Sequence, residues 1–441
     1  MKFTTTKKGF TLIETLVGST VFILIALSAY KAFGVLMDAV AESQAKIAAT
    51  EIANERFEII RNLPYVDVGI LGGLPVGKIT RNQTINRDNF SFSVTTTIRS
   101  VDDTFDGTIG GSPSDTSPAD YKLVDLDITC ATCKIFTPLK FTTLLAPHSL
   151  ETGVTNGALF VQVFDASGMP IQGSSLHIVN TQTNPDTIID ETTDNNGWVK
   201  IVDAIPGINA YNITATKSGY SQDQTYPTGG AAGATPLKID STVATGQVTQ
   251  LSLAIDKLSS INTSTVDSSC APFPNTGFSL TGAKLIGTPS VLKYPSHSFT
   301  TAANGLLSIP NLEWDTYSTL LTSASYDLAG TNPLSPFDLN PNETKTLQLV
   351  IVPHVNMALL VSVKNSSNVA IDGATVRLQK SGFDQTKTTN VGTCGTPGQV
   401  FWNGLSSGTY TMTISKAGYQ TSSTSVNVST SWQNKIITLS P

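Results

Sequence analysis

Two patterns of apolar residues divide the chain into a helical first part and a much longer β-rich part. Residues 10–30 form an apolar run in which Glu14 is the one charged residue. A helix of this length is about 30 Å long, the thickness of the hydrocarbon core of a membrane. From residue 65 onward, short runs alternate apolar and polar positions between Gly, Pro, Asn and Asp residues, which predicts strands joined by turns.

The apolar run continues into an amphipathic helix. Apolar residues recur at three- and four-residue steps from residue 31 to residue 63, with charged residues between them, and Pro64 ends the pattern. These apolar residues are Phe33, Leu36, Met37, Val40, Ala48, Ile52, Ile59, Ile60 and Leu63. We therefore predict one helix over residues 10–64, with a transmembrane segment over residues 10–30.

Glu14 is costly in this position, because a carboxylate inside a membrane-spanning helix costs about 2.5–3.5 kcal/mol on insertion scales. The residues before it are basic and carry Lys2, Lys7 and Lys8. The sequence Lys7-Lys8-Gly9-Phe10-Thr11-Leu12-Ile13-Glu14 resembles the class III leader and N-methylation site of type IV prepilins and pseudopilins. An ordinary secretory signal is disfavoured, since no small-residue cleavage site follows the apolar run.

The resemblance implies a set of site residues and partners. Residues 1–9 would be the leader, and a prepilin peptidase would cut between Gly9 and Phe10 and methylate the new amine of Phe10. Glu14 would pair with that amine on a neighbouring subunit during assembly on an inner-membrane platform. The basic leader would face the cytoplasm, which places the chain in the inner membrane as a single-pass protein with an exported body, later part of a surface filament.

Residues 65–147 are expected to form a small β head. Strand-like runs lie at residues 90–98 and 121–129. Between them an acidic turn precedes Asp120-Tyr121-Lys122, an order that resembles the globular part of pseudopilins and minor pilins. Asp102, Asp103 and Asp106 are candidate cation ligands, but no Glu follows at calcium-loop spacing, which favours a solvated turn and no metal site.

The remaining chain contains an internal repeat, which predicts tandem β-sandwiches. Each copy combines a Gly-containing turn with a later tyrosine, at Tyr211, Tyr317 and Tyr410, and the first and last copies also have a Lys-x-Gly-Tyr end at Tyr220 and Tyr419. The pattern resembles carboxypeptidase regulatory-like, transthyretin-like domains. The predicted fold class is α+β: a pilin helix with a small β head, then three all-β sandwich domains. Their boundaries are residues 153–257, 258–353 (a degenerate copy) and 354–441.

The aromatic residues and cysteines of these units have structural and functional interpretations. Trp198, Tyr220, Trp314, Tyr317, Trp402 and Tyr419 recur at matching places. A carbohydrate platform is one interpretation, but core packing is favoured. Cys130 and Cys133 are close enough for a small disulfide in an oxidising compartment. Cys270 and Cys394 lie in adjacent predicted domains and could bridge them, which sequence does not decide.

Two catalytic motifs match by spacing only. Gly72 and Gly77-Lys78 have the spacing of a phosphate loop, but Ile79 stands where a Ser or Thr is needed, so a flexible loop is expected. His148 and Glu151 have the spacing of a zinc hydrolase pair but lie in a linker without a third ligand nearby. We therefore predict a protein that is not an enzyme and uses no cofactor.

The formal net charge of −6 disfavours a nucleic-acid partner, and removal of a leader with three lysines would make the body more acidic. The prediction is a minor or tip subunit of a type IV pilus-like filament, which presents its β domains to a surface glycan or protein ligand. The alternatives are a pseudopilin of a type II-like secretion system and a pilin-anchored carbohydrate-binding adhesin. An extension of 289 residues beyond residue 152 is too bulky to repeat along a dense filament, which favours a minor subunit.

Overall fold

The computed structural model describes residues 11–115, 118–147, 155–230, 234–390, 394–429 and 432–441. Its first element is helix α1, Leu12–Arg61, followed by a 3-10 helix at Tyr65–Asp67. The helix ends at Asn62, whose N–H bonds to Glu58 O, and Pro64 prevents its continuation. The predicted fold class, a long helix followed by β-sandwich domains, is confirmed.

The head contains one antiparallel sheet of four strands in sequential order. The strands are β1 (Asn82–Arg87), β2 (Phe90–Val101), β3 (Tyr121–Cys130) and β4 (Leu139–Leu145). The β1–β2 hairpin turns through Asp88 and Asn89, both at positive φ, as a tight two-residue turn requires. The second half of α1 packs on this sheet and buries Ala45, Ala48, Ala49, Ile52, Ala53, Phe57 and Ile60.

The first β domain has nine strands. They are β5 (Gly157–Phe164), β6 (Ser175–Asn180), β7 (Thr187–Thr192), β8 (Trp198–Ala204), β9 (Gly207–Thr216), β10 (Asp223–Gln224), β11 (Thr235–Pro236), β12 (Ser241–Val243) and β13 (Val248–Ala254). Sheet β13-β5-β8 and sheet β10-β9-β6-β7, with β12 beside β9, enclose a core that includes Leu159, Ile178 and Tyr211.

The middle β domain has ten strands and the last has seven. The middle strands are β14 (Ser259–Val266), β15 (Gly277–Gly282), β16 (Leu285–Thr288), β17 (Val291–Leu292), β18 (His297–Thr300), β19 (Leu306–Leu312), β20 (Asp315–Leu321), β21 (Tyr326–Asn332), β22 (Phe337–Leu339) and β23 (Thr344–Pro353). The last strands are β24 (Leu359–Asn365), β25 (Thr375–Lys380), β26 (Phe383–Thr388), β27 (Gln399–Trp402), β28 (Gly408–Ser415), β29 (Ser422–Val428) and β30 (Gln433–Leu439).

The three β domains share one strand order. In the last domain β27-β24-β30 faces β26-β25-β28-β29, which matches the order of the first domain. The middle domain has the sheets β19-β14-β23-β21 and β18-β15-β20-β22, so it keeps this order and adds β21 at one edge. In each domain the first strand pairs in parallel with the last. The middle copy is therefore degenerate in sequence but not in topology.

Three local features recur in every copy. The first strand ends in a turn closed by one side chain, since Asp165, Asp267 and Asn365 each accept hydrogen bonds from backbone N–H groups two and four residues later. A buried tyrosine hydroxyl donates to a backbone carbonyl four or six residues earlier, at Tyr211, Tyr317 and Tyr410. A glycine at positive φ lies against the first strand, at Gly197, Gly305 and Gly398.

Candidate functional site: the amino-terminal helix, the acidic turn and the domain junctions

Glu14 lies in the first turn of α1, where backbone N–H groups have no partner within the helix. Its Oε2 accepts hydrogen bonds from the N–H of Thr11 at 2.9 Å and from Thr11 Oγ1 at 2.8 Å. Thr11 Oγ1 in turn accepts from the Glu14 N–H at 3.3 Å, which completes a capping box. Glu14 therefore caps the helix within one chain, and no Lys or Arg among the described residues pairs with it.

The first half of α1 is an exposed apolar surface. Leu12, Phe22 and Tyr30 are 83%, 71% and 78% exposed, and Phe33, Leu36, Met37 and Val40 are exposed as well. The helix is long and apolar enough to cross a membrane, and none of its most apolar segment is buried. Burial begins at Ala45. The contact between helix and head thus covers only the second half of α1. Gly9 and Phe10, the predicted cleavage and methylation residues, lie outside the described residues.

The acidic turn of the head is folded by its own carboxylates. Asp102 Oδ2 accepts from the Ile109 N–H at 2.9 Å, and Asp103 Oδ1 accepts from the Phe105 N–H at 3.0 Å. Asp120 accepts from the N–H of Asp103 and so ties the turn to the start of β3. Burial raises the pKa of the Asp102 carboxyl above its ordinary value, and the neighbouring carboxylates raise it further. These carboxylates thus have roles in the folded turn.

The carboxylates that come closest together are not the set predicted from sequence. Asp106, Asp115 and Asp120 have oxygens within 4.8 Å of one another, whereas Asp102 and Asp103 are not part of this group. It is the one group of metal-ligating side chains within that spacing among the described residues. A cluster of partly exposed acids is by itself no metal site, so the sequence preference for an acidic turn without a metal stands as a prediction.

The two catalytic motifs have different outcomes. The loop from Gly69 to Gly77 is held by backbone hydrogen bonds from Ile70 to Pro75 and from Leu71 to Ile79, which differs from the flexible loop expected. Lys78 Nζ pairs with Asp67 Oδ2 at 2.7 Å.

His148 and Glu151 lie outside the described residues. The other histidines contact separate partners: His177 contacts Asp190, His297 contacts a backbone carbonyl, and His354 contacts Asp327.

The recurring aromatic residues do not form one platform. Tyr317 and Trp402 are 0% and 1% exposed and belong to the cores of the middle and last domains. Tyr220 and Tyr419 pack partly against the cores of the first and last domains. Trp198 contacts Phe160 edge to face, and Trp314 lies under the Lys284 ammonium. This distribution over three units agrees with the packing interpretation favoured from sequence.

All four cysteines are paired in the structure. Cys130 and Cys133 form a disulfide at the end of β3, with Cα atoms 5.5 Å apart. Cys270 and Cys394 form a second disulfide between the middle and last domains, with Cα atoms 5.2 Å apart. The second pairing is one that sequence left open.

Lys122 is a structural centre that sequence reasoning did not identify. Its ammonium is buried and donates to Tyr65 O at 2.8 Å and to Val68 O at 2.6 Å, and it lies 4.4 Å from the centre of the Tyr65 ring. Burial lowers the pKa of the Lys122 ammonium, an effect that the negative charges of Asp203 and Asp67 oppose. The lysine thus ties β3 to the chain that leaves the helix. The sequence did contain a signal for its burial, because Lys122 is two and four residues before Val124 and Leu126 and therefore lies on the same buried face of β3.

The head and the first β domain meet at a charged cleft of about 220 Å³. Arg99 lies between Asp125, at 2.9 Å, and Glu191, at 3.4 Å. Burial raises the pKa of the Glu191 and Asp203 carboxyls, which Arg99 and Lys122 partly oppose. The Ile188 N–H also donates to Gly72 O at 2.8 Å. The charges of the cleft largely satisfy one another, and the arrangement fits a fixed junction.

The other two junctions are also built from specific contacts. Strand β11 of the first domain pairs with β16 of the middle domain, and the Leu237 N–H donates to Ile286 O at 3.0 Å. Between the middle and last domains, the Trp432 indole N–H donates to Leu328 O at 2.9 Å. The His354 ring pairs with Asp327 at 2.8 Å beside this contact. Each β domain is therefore fixed to the next by hydrogen bonds as well as by the chain.

Comparisons with known proteins give no close relative. No family model matches the chain, and no curated protein matches it significantly. Among solved structures, the Bacillus anthracis TIE protein is 14% identical to this chain, with a TM-score of 0.20. The match covers 82% of this chain and 73% of the TIE protein chain. A streptococcal ancillary pilin is 14% identical over 65% of this chain and 98% of its own, with a TM-score of 0.18.

A third neighbour is the minor pilin of Streptococcus agalactiae, 14% identical over 41% of this chain and 95% of its own, with a TM-score of 0.17. TM-scores this low do not establish a shared overall arrangement. These likenesses therefore do not indicate what this chain does.

Proposed function

We propose that the chain is a minor or tip subunit of a type IV pilus-like filament, anchored by the first half of α1. The observation that carries this proposal is the helix itself: its second half is packed on the head, whereas its apolar first half is not buried by any of the described residues. Such a surface needs either lipid or the helices of other subunits. A single helix that serves both environments is the device by which a prepilin leaves the membrane and joins a filament.

The leader residues add to this proposal. Cleavage between Gly9 and Phe10 would place a positive amine one peptide bond before Thr11, the residue that forms the capping box with Glu14. In this proposal, Glu14 caps its own helix in the membrane and pairs with the amine of a neighbouring Phe10 during assembly. The prepilin peptidase, other pilin subunits and the inner-membrane platform are the partners that this sequence of steps requires.

The β domains would then be the exported part. The disulfide of the head and the disulfide between the middle and last domains suit an oxidising compartment, and the fixed junctions suit a projection. Binding of a surface glycan or protein by the exposed loops of the last domain belongs to this proposal, because loops on a rigid scaffold carry most binding sites.

The experiment replaces Glu14 and compares filament incorporation with membrane insertion. Glu14→Val removes both the cap and the charge, whereas Glu14→Gln keeps an oxygen that can accept from Thr11. We expect both variants to enter the membrane fraction and to be absent from sheared filaments. The matched control is Glu51→Val, an exposed glutamate of the same helix, which should be incorporated normally. Normal incorporation of Glu14→Gln would refute charge pairing as the assembly step.

A further inference from the structure

The first and last strands of every β domain are parallel neighbours. Strand β5 pairs with β13, β14 with β23, and β24 with β30, each over seven residue pairs. Parallel strands point the same way, so the chain enters each domain at one end and leaves it at the other. A pull between the two ends of such a domain slides the two strands along each other. All the hydrogen bonds between them are then loaded together rather than one after another.

The Cys270–Cys394 disulfide changes which residues carry such a pull. Cys270 follows β14, the first strand of the middle domain, and Cys394 precedes β27 of the last domain. The bond therefore closes a loop that contains strands β15 to β26. Tension applied between the anchor and the carboxyl terminus passes from β14 through the two sulfur atoms to β27. Residues 271–393 lie outside this covalent path and bear no backbone tension.

The surroundings of the disulfide hold its two ends in place. Asp267 Oδ1 accepts from the N–H groups of Ser269 at 2.8 Å and Ala271 at 3.0 Å, which fixes the turn that carries Cys270. On the other side, the Gln399 side chain bonds to both backbone groups of Thr331. The Cys270–Cys394 disulfide thus joins parts of the middle and last domains that also contact each other through hydrogen bonds.

We propose that the body is a load-bearing projection, in which the Cys270–Cys394 disulfide removes most of the middle and last domains from the path of tension. The proposal goes beyond filament membership and depends on the proposed function only for the direction of the load, from the membrane anchor to the tip. A chain that passes the mechanical test but fails to enter filaments would refute the proposed function and leave this one intact.

The test is single-molecule force spectroscopy on the full chain in detergent. Handles are attached enzymatically at the two termini, so that no cysteine is added. The disulfide spans 124 residues, and at about 3.3–3.6 Å per extended residue it hides roughly 410–450 Å of chain. We expect the extension of the fully unfolded oxidised chain to be shorter by this length than the extension of the same chain unfolded in dithiothreitol.

Two variants serve as comparison. Cys270→Ser with Cys394→Ser should reproduce the long extension without reductant. Cys130→Ser with Cys133→Ser should keep the short one, because that disulfide spans only three residues. Equal extension of the oxidised and the reduced wild-type chain would overturn the proposal. So would a short extension for the Cys270/Cys394 variant. The wild-type comparison holds even where a serine variant folds poorly.

Discussion

The side-chain amide of Gln399, in the last domain, forms hydrogen bonds with both backbone groups of Thr331, in the middle domain, as the backbone of a neighbouring strand would. The Thr331 N–H donates to Gln399 Oε1 at 3.0 Å, and Gln399 Nε2 donates to Thr331 O at 2.6 Å. The two residues are 2% and 1% exposed. A single side chain thus satisfies both backbone groups at the point where two domains meet.

Replacing this side chain should weaken the junction. Gln399→Leu leaves a buried N–H and a buried carbonyl without partners, which costs about 1–3 kcal/mol. Denaturant unfolding followed by tryptophan fluorescence measures the change. Gln385→Leu, on an exposed position of β26, should change stability by less than about 0.5 kcal/mol. Equal effects of the two substitutions would contradict the assigned role of Gln399.

The recurring glycine of the first domain should not tolerate a side chain. A Cβ at Gly197 would lie 2.4 Å from Val163 O, whereas Gly168 has open space around it. Both residues have positive φ, so alanine costs about 1–2 kcal/mol at either position. Gly197→Ala should cost about 1–3 kcal/mol more, since the neighbouring strand must move. Thermal unfolding of the two variants checks this, and a similar loss at both sites would argue against the steric explanation.

Lys122 should be essential for the stability of the head. Lys122→Met keeps an unbranched apolar side chain, one atom shorter than lysine, but leaves the carbonyls of Tyr65 and Val68 without their donor. We expect a loss of about 1–3 kcal/mol and faster proteolysis after the helix. Lys134→Met removes an exposed ion pair with Asp38 and should cost less than about 1 kcal/mol. Proteolysis at the same rate in both variants would be inconsistent with the anchoring role.

Stability of the middle–last junction should fall as the pH rises. The hydrogen bond to Asp327 raises the pKa of His354 above its ordinary value. The folded state then binds this proton more tightly than the unfolded state does. The contribution is fully present below about pH 6.5 and is lost as the pH rises through the folded-state pKa. His354→Gln should flatten the dependence of the melting temperature on pH across this range. An unchanged slope in His354→Gln would contradict this assignment.

The helix and the strand pattern were accessible from the sequence because each depends on local periodicity. The helix was expected over residues 10–64 and spans Leu12–Arg61. The strands expected at residues 90–98 and 121–129 correspond to β2 and β3. Strands β1 and β4 were not predicted; both are edge strands in which no residue is fully buried and one face is only partly covered by the core.

The contacts at the candidate sites often join residues that are far apart in the sequence, and the periodicity of apolar residues does not predict such contacts. Glu14 was expected to pair with the Phe10 amine of a neighbouring subunit, and the structure adds a partner within its own chain, Thr11 at the start of the helix. The capping pattern of Thr11 followed by Glu14 three residues later was visible in the sequence. The grouping of Asp106 with Asp115 and Asp120 requires the turn to fold back, and the partner of Gln399 lies 68 residues away. No local pattern indicates such pairs.

The parallel pairing of the first and last strands also relates the length of the molecule to the number of its β domains. The chain enters and leaves each copy at opposite ends, so a copy that is inserted or deleted between two others leaves this polarity of the remaining copies unchanged. Gene duplication within this region would therefore add one domain per copy without bringing the entry and exit of any domain to the same end. In the filament subunit proposed above, the distance between the first helix and the terminal copy would then change by whole copies, with both of these parts left unchanged.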